Sequence, residues 1–174
     1  MNRAELISVA RAAALAHSLD PALVCAVCEQ ESAWNPWAIR YEPGFLARYV
    51  APLFTAGKIS ATEAYARSFS WGLMQVMGQV AREHDFTGAS VAQLCDPATG
   101  LDIGCTVLAH KFAAAVRGTA TCLPVGTAPG CAPLTCADPR VIERALQLWN
   151  GGANSDYAAQ VLARLTRYAA PPTS

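Results

Sequence analysis

At 174 residues, 53% of them hydrophobic, the chain is long enough for one domain with a substantial core and too short for two full ones. Thirteen basic residues balance 13 acidic ones, so no net field draws it toward nucleic acid or an anionic membrane, and neither is expected as a partner. No uninterrupted apolar run of about 20 residues is present, so membrane insertion is not expected either.

In chain order, Asn2 and Glu5 have the spacing of a capping box and start a helix over 3–17. Arg3, Glu5, Arg11 and His17 interrupt this Ala-rich opening, which therefore lacks the apolar stretch of a signal peptide. A protein of this kind acting outside a cytoplasm would be delivered by other machinery, such as a phage particle, a holin or a secretion system. Asp20-Pro21, Asp96-Pro97 and Asp138-Pro139 each place an N-capping carboxylate before a proline that the first helical position tolerates. They predict helices over 21–33, 97–117 and 139–150. Ser60 with Glu63 starts another over 61–68, and apolar periodicity adds helices over 75–85 and 156–168. Only residues 39–53 suggest a short irregular or β segment. Residues 119–137 read as an inserted Pro/Gly/Cys-rich loop and 169–174 as a flexible tail. The expected fold is mostly α, a single domain over 1–168.

The seven cysteines are Cys25, Cys28, Cys95, Cys105, Cys122, Cys131 and Cys136, an odd number that leaves at least one thiol outside any set of intramolecular disulfides. Three fall in the 119–137 loop, where they would suit a clamp in an oxidising compartment. Cys25 and Cys28 form a C-x-x-C inside a helical pattern, without the sequence context of a redox site, and read as small buried hydrophobes. A zinc site would need two further ligands at matching spacing. No metal and no cofactor are expected.

Projected at 100° per residue, Val24, Val27, Cys28 and Glu31 fall on one side of the second helix. Glu29 projects about 160° away and reads as a solvated carboxylate. A carboxyl held against apolar neighbours resists ionisation and can stay protonated near neutral pH as a proton donor. A buried glutamate paired with an arginine such as Arg40 would give the same pattern for structural reasons.

Three ordered motifs bear on that choice: Glu31-Ser32, then Gly72-Leu73-Met74-Gln75, then Trp149-Asn150-Gly151-Gly152. Gly72 could serve only a turn, Leu73 and Met74 only the core, and Asn150-Gly151-Gly152 only a helix end, where glycine supplies the left-handed conformation. Trp34, Trp37, Tyr41, Trp71 and Trp149 offer flat rings that suit sugar faces, some of them destined for the core.

In this order the motifs resemble the soluble lytic transglycosylase family, related to goose-type lysozymes, over roughly residues 20 to 165. The resemblance implies a lysozyme-like helical fold and cleavage of the β-1,4 bond between N-acetylmuramic acid and N-acetylglucosamine, with peptidoglycan glycan strands as the partner. By position it makes Glu31 the catalytic acid and base, with Ser32 beside it. Gly72, Leu73, Met74 and Gln75 would line the cleft opposite, and Trp149 and Asn150 would form its third wall. The family usually has tyrosine where this chain has Trp149.

Hydrolysis of a glycoside usually employs two carboxyls. Glu42, in RYEPGF, is the nearest downstream candidate, and it could equally bind sugar hydroxyls or hold its loop through an ion pair; Asp85, Asp96 and Asp102 lie in other segments. The resemblance implies a reaction needing only one carboxyl, in which the C6 hydroxyl attacks C1 and a 1,6-anhydro sugar results. Three readings follow: a lytic transglycosylase, a hydrolytic muramidase with Glu42 or an aspartate as partner, and a non-catalytic wall-binding or assembly protein.

Overall fold

The computed structural model describes residues 1–118, 138–152 and 154–169. The loop expected at 119–137, with Cys122, Cys131 and Cys136, and the tail beyond residue 169 lie outside the described residues.

The elements run α1 (Arg3–Ala16), α2 (Pro21–Ser32), β1 (Ile39–Tyr41), α3 (Pro43–Phe45), a π turn (Leu46–Val50), α4 (Ala51–Thr55) and α5 (Ala61–Arg67). There follow β2 (Phe69–Trp71), β3 (Val76–Met77), α6 (Gly78–Glu83), a 3-10 turn (Val91–Cys95), α7 (Pro97–Gly118), α8 (Pro139–Trp149) and α9 (Tyr157–Leu165). This is the mostly helical architecture expected, with one small antiparallel sheet in the order β1-β2-β3. Among the described residues no helix is long and apolar enough to cross a membrane.

The helix starts follow their caps. Asn2 Oδ1 accepts from Glu5 N (3.0 Å) while Glu5 Oε2 accepts from Asn2 N (2.8 Å), a complete capping box. Asp20, Asp96 and Asp138 each accept from a backbone N–H of the first turn they precede. Ser60 caps Glu63 N at 3.2 Å, but the Glu63 carboxylate turns away to Arg67 and Arg82, so only half of that box forms.

By compactness the chain divides into Met1–Gln30 with Cys105–Ser174, and Glu31–Gly104. In the first unit the core is built from Leu6, Ala10 and Ala14 of α1, the whole run Ala22–Cys28 of α2, and Phe112, Leu146 and Val161 of the later helices. Here α2 departs from the expected one-sided pattern. Residues 22 to 28 are buried around the full circumference, and exposure begins only at Glu29.

In the second unit the core comprises Val50, Ala64, Leu73, Met74, Val76, Ala81, Val91, Leu94 and Leu101. The segment 39–53 holds a strand, but its partner is β2: Ile39 pairs with Trp71, Arg40 with Ser70 and Tyr41 with Phe69. Pro43 to Thr55 is helical rather than irregular or β. The helix expected from residue 75 begins at Gly78, because Val76 and Met77 pair with Trp71 and Ser70.

Candidate active site

Glu31 and Ser32 close α2, both half-buried. The two residues after them, Ala33 and Trp34, take left-handed φ values of 49° and 69°. Such a conformation costs an L residue roughly 1–2 kcal/mol. Trp34, only 5% exposed, anchors the strained turn in the core. Backbone strain held by packing beside a carboxylate is a feature of functional sites.

The second motif meets this helix end directly. Ser32 Oγ donates to the Leu73 carbonyl oxygen at 2.9 Å. Gly72, at φ 71°, opens the tight turn between β2 and β3, and its N–H donates to Ala38 O at 2.8 Å. A Cβ at Gly72 would run into the Leu94 carbonyl oxygen, so both conformation and space require glycine there. Leu73 and Met74 are each 1% exposed and plug the core under the turn. Gln75 sits at φ 50°, held by its own amide: Nε2 donates to Ala38 O (2.9 Å) and Gly72 O (3.0 Å), and Oε1 accepts from Ser70 Oγ (2.8 Å). Both amide N–H groups are thereby spent on the fold. Ala38 and Ser70, which fix this amide, escape sequence reasoning because neither spacing nor chemistry marks them.

Glu42 donates its backbone N–H to Ser68 O (3.0 Å), and its carboxylate accepts from Arg40 Nε at 2.6 Å. The pair is substantially exposed and adds little stability, but it holds the carboxylate to the guanidinium.

Of the five rings marked in the sequence, Trp34 is core, whereas Trp37 is 73% exposed. Tyr41, Phe69 and Trp71 form a ladder on one sheet face with centroid spacings of 5.1 and 5.8 Å, and Trp71 Nε1 donates to Ala66 O. Phe69 was not marked; its place opposite Tyr41 depends on long-range strand pairing.

Trp149 and Asn150 belong to the first unit. Trp149 is half-buried in the last turn of α8, and Asn150 is its C-cap. Gly151 and Gly152 take φ values of 68° and 78°, and Gly152 N donates to Gln147 O at 3.2 Å, the closure of a Schellman motif. Asn150 Nδ2 donates to Asn154 O at 3.2 Å.

Glu29 is not the solvated carboxylate that its helical position suggested. It accepts from Arg3 Nη2 (3.3 Å), Arg167 Nη1 (2.9 Å) and the Tyr168 hydroxyl (2.9 Å). Burial pushes its carboxyl up, but the Tyr168 hydroxyl and the two guanidinium groups outweigh that and hold it below the usual glutamate range. Cys25 and Cys28 are buried, as expected of small hydrophobes, and Cys95 and Cys105 are buried as well. Burial pushes the Cys25 thiol up to about 11, which keeps it protonated. Among the described residues no three His, Cys, Asp or Glu side chains are grouped so as to hold a metal ion.

Residues 8–121 match the family described as the transglycosylase SLT domain. That span includes Glu31, Ser32, Glu42 and Gly72–Gln75 and stops short of Trp149 and Asn150. Comparison with curated proteins and comparison with solved structures give no match.

Proposed function

The chain belongs to the transglycosylase SLT domain family, whose members are lytic transglycosylases acting on peptidoglycan glycosidic bonds, and on that premise we propose that Glu31 is its catalytic acid and base. The substrate is peptidoglycan, and the place of action is the cell wall. The bond cut is the β-1,4 link between N-acetylmuramic acid and N-acetylglucosamine.

In the first step the Glu31 carboxyl gives its proton to the departing glycosidic oxygen, and the muramic N-acetyl oxygen stabilises the positive centre at C1. In the second the Glu31 carboxylate takes the proton of the C6 hydroxyl as O6 bonds to C1 and the acetamido oxygen withdraws. The products are a 1,6-anhydromuramic end and a free N-acetylglucosamine 4-hydroxyl, with no water consumed. One residue serves as acid and then as base.

The observation that carries this reading is the Ser32–Leu73 hydrogen bond, which joins the Glu31-Ser32 helix end to the Gly72–Gln75 turn. The Arg40–Glu42 ion pair favours a single-carboxyl reaction over hydrolysis, since the nearest downstream carboxylate in the sequence is already engaged. Mass spectrometry of digested peptidoglycan tests the proposal. Wild type should yield anhydromuramic ends, and Glu31→Gln should yield none while retaining its fold. New reducing ends from wild type would identify a muramidase instead, and products undiminished in Glu31→Gln would remove Glu31 from the chemistry.

A further inference from the structure

The stripe Arg144, Gln147, Leu148 and Gly151, spaced i, i+3, i+4 and i+7, runs down one side of α8 and into its closing turn. Together with Gly152, Asn154 and Ser155 it lines an open surface cavity of about 450 Å³, in which only Leu148 is half-buried and the others are exposed. Among the described residues the lining contains one cation and no carboxylate.

The polar groups around this cavity are unequally committed. Arg140, one turn earlier on α8, is locked onto Asp138 through Nε (3.1 Å) and Nη2 (2.9 Å). Asn154 Oδ1 accepts from Asp156 N (2.9 Å), and its Nδ2 donates to Gln160 (3.4 Å). The Ser155 hydroxyl makes a long contact of 3.4 Å to Asp156 Oδ1. The Arg144 guanidinium and the Gln147 carboxamide, by contrast, have no hydrogen-bond or ion-pair partner among the described residues. Space around the turn is open as well: a Cβ at Gly151 or Gly152 would meet no atom of the described residues within 4 Å. A ligand can therefore approach this backbone closely.

A planar guanidinium with a carboxamide one turn away suits a carboxylate, which accepts two parallel N–H donors from arginine, and Leu148 adds an apolar contact. Each muramic acid of peptidoglycan carries a short alanine-containing peptide stem with free carboxylates. The cavity directly follows Trp149 and Asn150 in the chain, which the resemblance assigns to the cleft wall.

We infer that this cavity is a subsite for the peptide stem, with Arg144 and Gln147 gripping a stem carboxylate. The inference rests on the proposed function for its substrate and specifies which part of peptidoglycan, beyond the glycan, the chain recognises.

The test is titration of the full chain with a soluble stem tetrapeptide, with the same peptide amidated at its carboxylates, and with inorganic phosphate. The tetrapeptide should bind saturably, and Arg144→Ala and amidation should each weaken it about tenfold, with Arg144→Lys recovering part of the loss. Equal binding by the amidated peptide, unchanged binding by Arg144→Ala, or phosphate binding as tight as the peptide's would overturn the assignment. So would the absence of saturable binding. Digestion of intact and amidase-stripped peptidoglycan by wild type separates the two ideas. No anhydro product from either substrate defeats the proposed function, whereas anhydro product from both at equal kcat/KM defeats only the stem subsite.

Discussion

The Ser32 hydroxyl reaches 2.9 Å across to the carbonyl oxygen of Leu73, so the end of one helix and the apex of a β turn share a hydrogen bond beside Glu31. Ser32→Ala should cost about 1 kcal/mol, since the carbonyl loses a part-buried partner. Activity should fall further than stability, because the Glu31 backbone loses its tether to the turn. Denaturant unfolding and initial-rate turnover of labelled peptidoglycan measure the two effects. Equal and small losses would reduce Ser32 to a structural contact.

Gln75 combines a positive φ with three internal side-chain hydrogen bonds, and the two features can be separated. Gln75→Ala should lose roughly 2–4 kcal/mol of stability through the missing bonds. Gln75→Gly loses the same bonds but tolerates the left-handed backbone, so it should be about 1 kcal/mol more stable than Gln75→Ala. Denaturant midpoints of both variants provide the comparison.

Gly72→Ala should be among the most damaging small substitutions, costing at least about 2 kcal/mol from its φ of 71° and the collision with the Leu94 carbonyl. Gly104→Ala also collides, with the Met74 sulfur, but it meets a side chain with three rotatable bonds and gains helix propensity. Thermal melts should place Gly104→Ala clearly above Gly72→Ala.

Acid should weaken the fold through two carboxylates. Burial raises Glu63, but hydrogen bonds from Arg82 and Arg67 outweigh it, and Glu63, like Glu29, ends below the ordinary glutamate value. A depressed carboxyl contributes stability that is complete above its unfolded pKa, about 4.3, and is lost as pH falls through the folded value. Unfolding free energy should therefore drop below about pH 5. Glu29→Gln and Glu63→Gln should each be less stable than wild type at pH 7 and show a flatter acid limb. An unchanged slope between pH 5 and 3 would contradict the assignment.

The parts of this structure that were legible in the sequence are those encoded locally. Asp20, Asp96 and Asp138 cap helices within three residues of themselves, and the Asn2–Glu5 box closes over one turn. The Gly151–Gly152 helix end was readable for the same reason. The sheet was not. Its strands are two or three residues long, and Arg40 finds Ser70 thirty positions later. Glu29 was misread because its partners Arg167 and Tyr168 are 138 and 139 residues away. At the site, ordered motifs picked out Glu31, Ser32 and Gly72–Gln75. That Gln75 spends its amide internally depends on Ala38 and Ser70, which only folding brings to it.

The Glu29 clasp also sets a timetable. Arg3 and Glu29 are synthesised before two of the three groups that accompany this carboxylate, because Arg167 and Tyr168 belong to the last turns of the described chain. Until they leave the ribosome, closing the unit would bury the carboxylate without most of its compensation. The unit built on α1 and α2 must then wait for the far end of the chain before it can close, and long-range closure of this kind slows folding.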